Sequence, residues 1–211
     1  MICRILRLSR YGLALAGVAG FLLAAPSSAI WAQTDTTAAP QPKHPRPNSG
    51  DRSRNLEFLF GALKAAPDEA SAKAVENRIM TLWLASGSDT ADLLMSRVKV
   101  AVDAKEIDLA LKLLDAVVEI KPDYAEAWNR RATLHFMNKD FNRSIVDIRQ
   151  VLAREPRHFG ALAGLGMILQ EIGDDKRALE IFRRALDIHP HLPRISDLVK
   201  QLTEKVDGRD I

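Results

Sequence analysis

The chain has a single cysteine, Cys3, in its N-terminal segment. Everything downstream is therefore without disulfides, thiol chemistry or thiolate metal ligands. No acidic residue occurs before Asp35. The longest apolar run, Tyr11 to Ala25, is about 15 residues, short of the roughly 20 a membrane-spanning helix needs. Aromatic residues make up 6% of the chain. No strand-like alternation occurs, and no nucleophile elbow accompanies any histidine, so no nucleophile–base pair assembles from local motifs. Ala163-Gly164-Leu165-Gly166 carries two glycines within a helical pattern, not after a strand, and reads as close packing rather than a phosphate loop. The net charge of +3 comes from 30 basic against 27 acidic residues. Arg4, Arg7 and Arg10 account for that excess, so the rest of the chain is balanced and carries no electrostatic footprint for nucleic acid.

What is present begins with a basic segment, an apolar segment and the small-residue stretch Pro26-Ser27-Ser28-Ala29, with Ile30-Trp31-Ala32 as a second cleavage option. This is the layout of a secretory signal peptide over residues 1–32. Cys3 lies before the apolar run, not at its end, which does not fit a lipoprotein. The expected destination is the bacterial periplasm, or secretion. The rival reading is an uncleaved anchor in the inner membrane, which would be the chain's only membrane contact. Residues 33–53 hold Pro40, Pro42, Pro45 and Pro47 among polar residues and read as a flexible tether.

The main signal is a period of 34. Pro122, Pro156 and Pro190 stand that far apart, and the residues before them match in register. Leu94, Trp128 and Leu162 are bulky; Val98, Ala132 and Gly166 are small or tight; Ala110, Ser144 and Ala178 are small; Leu114, Ile148 and Phe182 are large. Val117, Val151 and Ala185 close the pattern. Self-similarity at such a period means stacked supersecondary units.

Residues 125–156, AEAWNRRATLHFMNKDFNRSIVDIRQVLAREP, and 159–190, FGALAGLGMILQEIGDDKRALEIFRRALDIHP, carry this order best, with 91–122 as a weaker copy. On these motifs the chain resembles the tetratricopeptide repeat family over roughly half its length. The resemblance implies an all-α solenoid of antiparallel helix hairpins, with repeats at about 91–124, 125–158 and 159–192. Turns are expected at Lys105-Glu106, Asn138-Lys139-Asp140 and Gly173-Asp174-Asp175, and Gly173 stands where a left-handed residue is wanted. Upstream, Leu56, Leu59, Phe60 and Leu63, then Val75, Ile79, Leu82 and Trp83, predict a helical hairpin over 55–86. The period sets Trp83 in the slot of Val117, so this hairpin reads as a degenerate first repeat. Ile195, Leu198, Val199 and Leu202 predict a final amphipathic helix over 193–207 that caps the stack.

The resemblance also implies a non-enzymatic protein-binding role, with the concave face of first helices as the partner site. It places Met95, Lys99 and Val102 there from one repeat, Asn129, Thr133 and Phe136 from the next, and Ala163, Met167 and Gln170 from the last. A clamp for a C-terminal carboxylate would need several cations and amides there, and only Lys99 and Asn129 qualify. Trp128 is expected in the inter-helix core, His135 as a packing residue beside Phe136, and Arg131 and Asp147 as an ion pair within one repeat. His158, His189 and His191 lie near the junctions without the convergence a metal site requires, so no metal or cofactor is expected. The partner is a protein or peptide; the alternative is self-assembly, with the groove or a terminal face binding another copy.

Overall fold

The computed structural model describes residues 49–208, and the described residues form helices and turns with no strand. The elements are α1 (Ser49–Lys64), α2 (Glu69–Leu84), α3 (Asp89–Asp103), α4 (Ile107–Ile120), α5 (Ala125–Met137), α6 (Phe141–Arg154), α7 (Phe159–Glu171), α8 (Asp175–Ile188) and α9 (Pro193–Asp207). The expected signal segment 1–32 and most of the expected tether lie outside the described residues. The tether reading is corrected at its end: residues 49–53 belong to α1. Asp51 sits in the first turn and pairs with Arg54, while Arg52 donates to the Leu82 carbonyl at 2.5 Å, so this polar stretch is tied to α2.

Three hairpins, α3–α4, α5–α6 and α7–α8, stack in order, and α9 packs on α8. The helix starts are set by side chains that accept otherwise unpaired backbone N–H groups. Ser88 caps α3, Asp140 caps α6, Asp174 caps α8, and the Nδ1 of His158 caps α7. Each hairpin turns through a residue with positive φ at the same phase of the period: Lys105 at 62°, Lys139 at 58° and Gly173 at 84°.

The period survives as burial. The small slot Ala110, Ser144, Ala178 is closed to solvent, and Ser144 satisfies its hydroxyl on the Ala132 carbonyl at 2.8 Å. The large slot, Leu114, Ile148 and Phe182, forms the hairpin cores. Trp128 departs from expectation. It is half-buried between two core clusters, donates from Nε1 to the Pro122 carbonyl at 2.9 Å, and carries the guanidiniums of Arg131 and Arg154 on its ring. Pro122, Pro156 and Pro190 stand exposed at the junctions, each just past the end of a second helix.

The first hairpin is the main difference. The expectation of a degenerate repeat stacked ahead of α3 is corrected: α1 packs against α8 and α2 against α5. It lies along the inter-repeat junctions. Trp83 stacks on His158, Phe159 sits in the hairpin's core with Leu63 and Ile79, and Tyr124 donates to the Leu84 carbonyl at 2.7 Å. Arg157 reaches Glu57 at 2.9 Å and lies over the Phe60 ring. The reason is chemical: the aromatic and histidine residues of the junctions offer Trp83 a stacked, enclosed site.

Candidate functional site

The first helices α3, α5 and α7 lie side by side and leave two adjoining hollows on one face. The hollow between α3 and α5 has a volume of about 370 Å³ and is lined by Val98, Lys99, Val102 and Asp103 on one side. Glu126, Asn129, Arg130, Thr133, Leu134 and Met137 form its other side. The hollow between α5 and α7, about 310 Å³, is lined by Asn129, Ala132, Thr133, Phe136 and Met137, and by Gly160, Ala161, Gly164 and Met167. Ser144 and Ile148 of α6 also line it. Asn129, Thr133 and Met137 belong to both hollows, at four-residue spacing along one helical face, so the two adjoin across α5 and together make a channel on that face.

The expected groove residues divide on this geometry. Lys99, Val102, Asn129, Thr133, Phe136 and Met167 line the channel. Met95 does not: it is 8% exposed and belongs to the core cluster of Leu114, Val117 and Tyr124. Ala163, also 8% exposed, packs in the cluster of Phe182, Ile195 and Leu202 beneath the capping helix. Gln170 is half-exposed and lies beyond the lining of both hollows. Met137, 61% exposed and common to both hollows, is the most exposed apolar lining residue that the sequence reading missed. The spacing of 129, 133 and 137 was the signal for it. Gly160 and Gly164 were also missed; lacking side chains, they lower the α7 wall.

The polar groups of the channel are mostly engaged with one another. Glu126 is 3% exposed and accepts from Asn129 at 3.1 Å and from Arg130 at 3.2 Å. Lys99 pairs with Asp103 at 2.6 Å on the exposed flank, and Thr133 donates to the Asn129 carbonyl at 2.9 Å. Phe136 tilts against Phe141 with ring centroids 5.8 Å apart. His135 faces away from the channel: it is buried and its Nε2 lies 3.9 Å from Asp147.

On that other side the expected ion pair is present and larger than expected. Arg131 holds Asp147 with two hydrogen bonds, 2.8 and 2.7 Å, and reaches Asp115 of the preceding repeat at 2.8 Å. The Asp147 hydrogen bonds raise the pKa of the guanidinium above its ordinary value. The bidentate fork fixes α5 against α6 while the third contact ties two repeats together. Among the described residues no group of three or more His, Cys, Asp or Glu is arranged to hold a metal. The junction histidines serve packing: His158 caps α7 and stacks on Trp83, His189 faces Glu76 at 3.4 Å, and the His191 Nε2 lies 2.8 Å from the Ala66 carbonyl.

The tetratricopeptide repeat family profile matches residues 95–148 and again 140–193. A TPR repeat-containing protein of Rhizobium etli is 42% identical over 160 residues, spanning 76% of this chain and 78% of that protein. Among solved structures, the first TPR of Spaghetti bound to an HSP90 peptide is similar with a TM-score of 0.54 at 16% identity, over 57% of this chain and 95% of that one. MamA is similar with a TM-score of 0.53 at 19% identity, over 78% of this chain and 88% of that one. At these identities the structural likeness speaks for the fold. Period, hairpin stacking, profile and relative agree: the chain belongs to the tetratricopeptide repeat family.

Proposed function

We propose that the protein is a non-enzymatic scaffold of the bacterial cell envelope that binds an apolar protein segment along the α3–α5–α7 channel. The pair of adjoining hollows that share Asn129, Thr133 and Met137 carries this reading. Met137 and Met167 are soft, adaptable contacts and Phe136 an aromatic anchor. The amide of Asn129 offers polar pairing to a backbone. The first TPR of Spaghetti is seen with an HSP90 peptide, which supports a peptide-binding use of the frame. The chemistry here differs from a clamp for an acidic tail: Lys99 and Arg130 are the cations lining the two hollows, and each stands beside an acid, Asp103 and Glu126. The basic, apolar and small-residue order of residues 1–32 supports export.

The test is site-specific photo-crosslinking in the native host. A crosslinking amino acid at Thr133 is expected to capture a discrete partner, while one at Val146, on α6 outside the channel, captures none of it. Mass spectrometry of the same material reads the N-terminus, expected between residues 26 and 33 after cleavage. Equal capture from both positions would refute the channel, and an intact Met1 on a cytosolic species would refute export.

A further inference from the structure

The repeat stack has two ends, and they differ. In the second and third repeats, the face turned toward the preceding repeat is closed. Ala127 and Leu134 lie in the core cluster built by α3 and α4, at 0% and 4% exposure. One period on, Ala161 and Ile168 lie in the cluster of Ala132, Ile148 and Val151, at 1% and 0%. One period back, the same two slots hold Leu93 and Val100, and these are 55% and 68% exposed. Helix α4 carries two more exposed apolar residues, Leu109 and Ile120, at 46% and 48%. The next repeat carries Arg143 and Arg154 in those slots. The first repeat thus keeps an apolar stacking face with no repeat stacked on it, whereas terminal units of a solenoid otherwise need a polar outer face.

The hairpin that sequence sets ahead of this face is committed elsewhere. Moving it would open the core of Leu63, Ile79, Trp83 and Phe159. The far end of the stack is closed by α9. We propose that the chain forms a two-fold dimer, with α3 and α4 of one copy packed on α3 and α4 of a second. A face built to take a repeat takes another repeat of the same chain, and because the other end is capped, assembly closes at two rather than growing as a filament. The flanking charges suit a two-fold. Arg97 and Lys112 carry one sign, Asp108 and Glu119 the other. An antiparallel α4 pair that sets Leu109 on the second copy's Ile120 brings Lys112 near the second copy's Glu119. Arg97 occupies the slot from which Arg131 reaches Asp115 of the preceding repeat, and the second copy's acids take that part.

This inference is independent of the channel. Sedimentation equilibrium of the purified full chain across a broad concentration series tests it. The expected result is twice the monomer mass. Val100→Glu is expected to weaken association at least tenfold, about 1.4 kcal/mol, with the helical circular dichroism of the monomer kept. Leu109→Lys repeats the test from α4 should Val100→Glu fold poorly. Met137→Glu, in the channel, leaves the dimer intact. A monomer at every concentration, a dimer indifferent to both face variants, or a dimer broken equally by Met137→Glu would each overturn the proposal.

Discussion

Trp83 stacks on His158 with ring centroids 4.1 Å apart and planes 9° from parallel, joining the N-terminal hairpin to the start of α7. Trp83 is 5% exposed and also meets Phe60 and Phe159. Its removal leaves a cavity in the contact that holds the hairpin to the repeats. Trp83→Ala should cost about 3–5 kcal/mol, as large-to-small core changes do. Limited proteolysis should then cut first around Leu84–Ser88. A denaturation midpoint equal to wild type would show that the hairpin does not depend on this contact.

The same interface predicts a pH dependence. His189 is 1% exposed, and burial pushes its pKa below the ordinary 6.5 against the pull of Glu76; His191 and Lys73 push it the same way as burial. Phe159 covers the ring edge-on. Above that ordinary value the imidazole is neutral folded or unfolded, and the site contributes no pH dependence. As pH falls through it, the unfolded chain takes up the proton first and the folded state loses stability. Denaturant titrations from about pH 7.5 to about pH 5.5 should show a decline that is shallower in His189→Gln. Identical slopes in the two proteins would assign the dependence to other groups.

A Cβ on Gly166 would stand 2.4 Å from the Phe182 ring. This is one member of a series: Val98 with Leu114, Ala132 with Ile148, Gly166 with Phe182, and the smallest first residue, Gly166, meets the largest second one, Phe182. Gly166→Ala should destabilise by about 1–3 kcal/mol through overpacking, and Gly166→Ala combined with Phe182→Leu should recover part of the loss. Thermal unfolding of the single and double variants checks both, and additive losses would break the pairing.

That series shows what was legible. Volumes at fixed phase encode the contacts within and between repeats, so the three hairpins and their turns could be read from one sequence, and α9 from its apolar spacing. The first hairpin could not. Its helices follow from apolar spacing, but its docking rests on three junction positions 34 apart, Tyr124, His158 and Leu192, where the residue type changes each time, so each contacts the hairpin by different chemistry. The groove was legible where a slot faces outward in every repeat, as at Lys99, Thr133 and Met167. It failed at Met95 and Ala163 because their neighbours differ: Met95 joins the α3–α4 core, and Ala163 joins the core that α9 closes. Met137 was missed because only the helical face, not the repeat, points to it.

Asp147, with a side chain 2% exposed, anchors the Arg131 fork. Asp147→Ala should cost about 2–3 kcal/mol, less than the 3–5 of a fully buried pair, since Arg131 is partly exposed and keeps Asp115. Arg131→Lys, which loses the fork but keeps the charge, should fall between wild type and Asp147→Ala. Chemical denaturation ranks the three; Arg131→Lys equal to wild type would mean that geometry adds nothing there.

The most direct test of the channel is the affinity of the partner captured at Thr133, titrated calorimetrically against wild type and three variants. Phe136→Ala should weaken binding by about 1–3 kcal/mol. Met137→Ala, at a 61% exposed position whose loss leaves folding intact, should weaken it in the same direction. Val146→Ala, 53% exposed and away from the channel, should leave affinity within about 0.5 kcal/mol, as surface changes do. Equal affinities in all four proteins, or the largest loss at Val146, would contradict the account.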